Sequence, residues 1–138
     1  MTKKCLQELI GDDKFEKEFP TCKNAIEEFT QEESKDIKLN RALSRSCRPV
    51  IRTYCKELLE NEIDNGDVME CLLRNRGVPE MTHKCKAYVN HFQLITLKNY
   101  ELSFKFKRAC VDDVRKHCAQ EGNDKLVLYS FRLKKYLN

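Results

Sequence analysis

The residues of this chain best suited to do chemistry are its eight cysteines. Cysteines at regular intervals ligate metals, cycle redox equivalents or close disulfides. The first two chemistries usually show a Cys-x-x-Cys pair, and no such pair occurs. Cys5, Cys22, Cys47 and Cys55 are separated by 16, 24 and 7 residues, and Cys71, Cys85, Cys110 and Cys118 by 13, 24 and 7. Three of the four positions therefore recur at an offset of 63 residues. Spacing held in two copies predicts a disulfide framework made in an oxidising compartment.

His83 near Cys85 and His117 beside Cys118 read as surface histidines next to disulfide cysteines, so neither a metal nor a cofactor is expected. No glycine-rich phosphate loop, Gly-x-Ser-x-Gly elbow or His-Glu-x-x-His helix is present, and the expectation is a chain that is not an enzyme. A net charge of +4 gives no indication of nucleic-acid binding.

Other residues keep the same offset. Ile26 maps on Val89, Phe29 on Phe92, Leu43 on Phe106, and Ile51 on Val114. Apolar positions stay apolar, the mark of a tandem repeat whose copies bury the same faces. The expected units are 1–62, 63–122 and a truncated or divergent start of a third copy at 123–138. That last stretch lacks the cysteine which the register would place there.

High charge, four glycines and three prolines suit helices. Cys22, Ile26 and Phe29 make one helical stripe, placed in a helix at about 20–33. Asn40 and its counterpart Ser103 are N-cap candidates. Leu43, Cys47, Ile51 and Tyr54 make the next stripe, with Pro49 expected to break it, and the copies are expected to break alike near Cys47 and Cys110. Asn65-Gly66-Asp67 is a turn before a short helix that starts at Val68. A helix at about 80–97 follows, then an extended lead-in and a helix over 104–119. The fold class is all-α, built as tandem disulfide-stapled helical hairpins.

Cys47 and Cys55 are eight residues apart, as are Cys110 and Cys118, which is about 12 Å of rise in a helix. A disulfide needs Cα atoms within about 7 Å, so each cysteine must reach another helix. An antiparallel hairpin would pair Cys22 with Cys47 and Cys85 with Cys110. The outer pairs stay open: Cys5 with Cys55 and Cys71 with Cys118 in a closed repeat, or Cys55 with Cys71 in a ladder across the repeat boundary.

The run from Gly66 through Cys71-Leu72, then Cys85, then Ala109-Cys110-Val111-Asp112-Asp113-Val114-Arg115-Lys116-His117-Cys118, resembles the cysteine-rich repeat of the Golgi apparatus glycoprotein family. Residues 5–55 resemble it in spacing and at Cys47–Cys55. The resemblance implies a lumenal array in the Golgi and secretory pathway, carried by a membrane glycoprotein that binds growth factors or glycoproteins. No apolar stretch approaches a membrane span and no secretory signal is visible. The chain is therefore expected to be a piece of a longer protein, with any membrane attachment elsewhere.

Lys105, Lys107, Arg108, Arg115 and Lys116 are the candidate partner-binding residues, a local basic face that suits an acidic protein or a sulfated glycan. Two roles follow for the chain: a module that binds protein partners, or a structural spacer with no ligand site of its own.

Overall fold

The structure, a computed structural model, describes residues 2–118. Helix α1 (Thr2–Glu8) and helix α2 (Asp13–Glu18) lead into the long α3 (Pro20–Lys35). A 3-10 turn (Ile37–Leu39) precedes α4 (Arg41–Ser46) and α5 (Arg48–Tyr54). A second 3-10 turn (Lys56–Glu60) leads to α6 (Asp67–Arg74) and the long α7 (His83–Lys98). A third 3-10 turn (Tyr100–Leu102) precedes α8 (Phe104–His117). No strand occurs among the described residues, and the all-α expectation holds.

The 63-residue offset reappears in three dimensions. Each bound of α3 plus 63 gives the same bound of α7, and the turn at 37–39 becomes the turn at 100–102. The α4–α5 pair, 41–54, becomes α8, 104–117. The caps recur too. The side chains of Asp36 and Asn99 cap the 3-10 turns, and those of Asn40 and Ser103 cap the helices that follow. These short polar residues accept the otherwise unpaired N–H groups of a first helical turn.

The copies differ at one proline. Pro49 has no N–H and stands in the first turn of α5, and Cys47 ends α4 with φ −96° and ψ 6°. The matching Asp112 has its N–H, and α8 runs unbroken through Cys110. The break expected in both copies therefore occurs only in the first. Residues 100–102, expected to be extended, coil into a 3-10 turn capped by Asn99. The third-copy start proposed at 123–138 lies outside the described residues.

The larger apolar core is shared between the copies. Leu43, Val50 and Ile51 of the first copy's arm pack with Val68, Leu72 and Val89 of the second, each at most 4% exposed. A smaller core joins Ile10 and Ile26 of the first copy to Ile95 and Leu102 of the second. Neither copy has a core of its own, as in solenoid proteins where each repeat is covered by its neighbour.

One buried carboxylate fixes the junction. Asp64 is 3% exposed, and its oxygens accept from the Ile37 N–H (2.7 Å) and from Gly66 N–H (2.9 Å) and Val68 N–H (3.4 Å). It thus ties the first copy's 3-10 turn to the start of α6. Burial raises its pKa, against the three backbone donors that favour the charged form. Gly66 sits at φ +89°, where a side chain is strained, and a Cβ there would lie 3.1 Å from Lys105 Cβ.

Candidate functional site

Two features of the fold carry chemistry: a ladder of sulfurs across the copies and a groove lined by arginines.

Cys47 bonds to Cys85 with Cα atoms 4.8 Å apart, and Cys55 bonds to Cys71 with Cα atoms 6.1 Å apart. Cys5, Cys22, Cys110 and Cys118 are free thiols. The expected inner pairs, Cys22 with Cys47 and Cys85 with Cys110, are therefore overturned. The cause is the packing of the arm. Helix α4 packs on α7, and α5 packs on α6. Helix α3 packs instead on α1, α2, α8 and the 3-10 turn at 100–102. The hairpin in which Cys22 would meet Cys47 does not close. Of the two outer alternatives, the closed pairs Cys5–Cys55 and Cys71–Cys118 do not form, and the ladder bond Cys55–Cys71 does.

Both bonds obey one rule in the repeat register. The third cysteine of the first copy joins the second cysteine of the next, and the fourth joins the first. These bonds close loops with sequence separations of 38 and 16. Each contributes about 3–4 kcal/mol in the chain-entropy description.

The predicted basic residues all lie on α8, but they do not form one free face. The Lys105 ammonium reaches Asp67 (2.5 Å) and also Glu70. Partial burial pulls its pKa down, but those two carboxylates outweigh burial and the net shift is upward. The Lys105 hydrogen bond holds Glu70 below its usual value. This lysine joins α8 to α6 and is not available to a ligand. At about 100° per residue, Arg108, Arg115 and Lys116 fall on one side of α8 with Asp112 among them, while Lys107 points well away. The acidic residue divides the charge.

The denser basic site lies elsewhere. Arg41, Arg45, Arg48 and Arg52 follow one another at steps of four, three and four along α4 and α5, on one helical face. With Lys38 they line a groove of about 460 Å³ whose floor holds Ile37 and Ile51 and whose rim holds Leu59. No carboxylate lines it. All four arginines are exposed, and none forms an ion pair with a described residue. Lys38 is engaged by Asp36 at 3.7 Å and by the Glu62 carbonyl. Ser44 donates to the Ile37 carbonyl at 2.6 Å and helps fix the groove wall. The sequence held this signal in plain form. The apolar stripe Leu43-Cys47-Ile51 drew the reading, and the arginine stripe on the adjoining face of the same helices went uncounted.

No group of three or more metal-ligating side chains occurs among the described residues. No described helix is long and apolar enough to cross a membrane.

Comparison with known proteins accords with these features. A family model described as a cysteine-rich repeat matches residues 20–79 and 83–128, two matches that begin 63 residues apart. The Golgi apparatus protein 1 homolog of Caenorhabditis elegans is 48% identical over 121 residues, 88% of this chain and 10% of that protein. Golgi apparatus protein 1 of Gallus gallus is 42% identical over 114 residues, 83% of this chain and 10% of that protein. The human protein of that name is 40% identical over 114 residues, 83% of this chain and 9% of that protein. The chain thus spans about a tenth of the length of these curated relatives. Their names carry the Golgi localisation that the resemblance led one to expect. Neither the family description nor these names denote an enzyme. No solved structure matches the chain. Matched by the repeat over most of its length, the chain belongs to the cysteine-rich repeat family of the Golgi apparatus proteins.

Proposed function

We propose that this chain is a non-enzymatic repeat module of the Golgi lumen that binds protein partners, and that the arginine groove is its contact surface. The observation that carries the reading is the set of four unpaired arginines over an aliphatic floor. Guanidinium groups present paired donors to carboxylates, so the groove suits an acidic polypeptide segment. Ile37, Ile51 and Leu59 favour a polypeptide over a sulfated glycan, since a glycan brings no aliphatic side chain to cover them. The partner classes implied by the family, growth factors and maturing glycoproteins, are both polypeptides. The alternative role is a spacer that sets the length of a lumenal rod.

Binding of a Glu- and Leu-rich test peptide to the full chain separates the two. Heparin run in parallel tests the glycan. The expected result is salt-sensitive peptide binding that falls about tenfold or more in Arg45→Glu/Arg48→Glu, as charged hydrogen bonds are lost. Binding is unchanged in Lys107→Glu. Equal binding by the groove variant, or heparin binding alone, overturns the reading and leaves the spacer.

A further inference from the structure

The two copies show what covers an arm and what joins it. In the first copy Leu43, Cys47, Ile51 and Cys55 are 0–4% exposed because the second copy's α6 and α7 lie over them and bond to both sulfurs. In the second copy the same register positions are Phe106, Cys110, Val114 and Cys118. All four are half-exposed, and α8 buries no residue. Both thiols on this face are free. Its apolar and sulfur groups match those of a known interface one repeat earlier.

The opposite end shows the complement. Cys85, the second cysteine of the second copy, is fully buried in its bond, whereas its counterpart Cys22 is half-exposed and free. Cys71 is bonded, whereas its counterpart Cys5 is exposed and free. Within the chain, the position 63 residues after Cys71 is Lys134, so Cys118 has no cysteine in register to meet.

We infer that the α8 face is a covalent docking surface for the leading face of a second copy of this chain, with Cys110 bonded to Cys22 and Cys118 bonded to Cys5 of that copy. The arrangement repeats the Cys47–Cys85 and Cys55–Cys71 bonds by one further step of the same register. The surface on one chain differs from the surface it meets, so the association is head-to-tail and open-ended. Each bond forms when a thiolate attacks a mixed disulfide on its partner. In sum two thiols lose two electrons and two protons to one glutathione disulfide, which leaves as two glutathione thiols. The inference stands whether or not the arginine groove takes a ligand.

The test is to refold the full chain in a glutathione and glutathione disulfide buffer, then map its disulfides by mass spectrometry beside non-reducing electrophoresis. Expected are the internal bonds Cys47–Cys85 and Cys55–Cys71, interchain Cys110–Cys22 and Cys118–Cys5 peptides, and a ladder of oligomers. The Cys110→Ser/Cys118→Ser chain runs as monomer. So does the Cys5→Ser/Cys22→Ser chain. An equimolar mixture of the two gives a dimer and nothing larger. Free thiols and monomer in the unmodified chain overturn the inference. So do intrachain Cys22–Cys110 or Cys5–Cys118 bonds, like-to-like interchain bonds such as Cys5–Cys5, or loss of the internal ladder bonds.

Discussion

Leu43, Cys47, Ile51 and Cys55 are each 4% exposed or less, whereas Phe106, Cys110, Val114 and Cys118, 63 positions later, are all half-exposed. The two arms have the same spacing and nearly the same side-chain types. What separates them is the neighbour. Helices α6 and α7 cover the first arm, and no described element covers the second arm in the same way. The lesson is that burial in this fold is not a property of a repeat. It belongs to the junction between one repeat and the next, and so do the disulfides. Stability is then a sum over junctions, the behaviour of quasi-one-dimensional proteins.

The largest expected effect tests that asymmetry with one chemical change made twice. Cys47→Ala removes the bond to Cys85 and should cost about 3–4 kcal/mol. Cys110→Ala, the same change 63 residues on, removes a free and half-exposed thiol and should cost no more than about 0.5 kcal/mol. Urea unfolding of the monomeric chain gives both values. Equal costs would mean that the arms are equivalent after all, and the junction picture would fail.

How far the sequence anticipated these junctions can be judged from particular residues. The repeat, the helical stripes through Ile26 and Leu43, and the caps at Asn40 and Ser103 were legible, because spacing and capping are local. The pairing of Cys47 was not. Periodicity shows that Cys47 faces inward but does not say which helix it meets, and the nearest helix in sequence was the wrong choice. Pro49 was read correctly as a break, then carried wrongly to Asp112, which keeps its N–H and continues the helix. On the binding side, Lys105 was chosen for its charge, and its engagement by Asp67 and Glu70 appears only once α6 and α8 are adjacent. The arginine stripe needed only a second pass over residues 41–52.

A packing change sharpens the comparison at the next scale down. Leu43 is fully buried in the junction core. Leu43→Ala should cost about 2–5 kcal/mol, through lost transfer energy and the cavity left behind. At the same register position Phe106 is half-exposed and touches Tyr100 edge to face, with ring centroids 6.1 Å apart. Phe106→Ala should cost roughly 1–2 kcal/mol, less than Leu43→Ala although more atoms are removed, because part of the ring is already in water. Thermal unfolding of the two variants should rank them in that order. The reverse ranking would show that α8 is already packed as α4 and α5 are.

The smallest effect concerns a polar contact between α7 and α1, where the copies again differ. His91 Nε2 lies 2.9 Å from Gln7 Oε1, and Gln7 Nε2 donates to Thr30 Oγ1 at 3.0 Å. Thr30 Oγ1 in turn donates to the Ile26 carbonyl at 2.7 Å. Gln7 and Thr30 are each 2% exposed, so this chain of donors satisfies groups that would otherwise be orphaned. The counterpart of His91 in the first copy is Glu28, which is exposed. Burial lowers the His91 pKa, aided by Lys4, Lys3 and Lys98 and opposed by Glu8. A lowered histidine pKa means that the fold favours the neutral ring. Its stabilising share is complete above the ordinary histidine value of about 6.5 and is lost as pH falls through the lowered folded value. Mild acid should therefore loosen α1 from α7, read as faster amide exchange in residues 2–8 between pH 7 and pH 5 after correction for intrinsic exchange. In His91→Gln that acceleration should vanish, whereas a change made at exposed Glu28 should leave it intact. Persistence of the pH response in His91→Gln would assign it to the carboxylates near α1 and remove this difference between the copies.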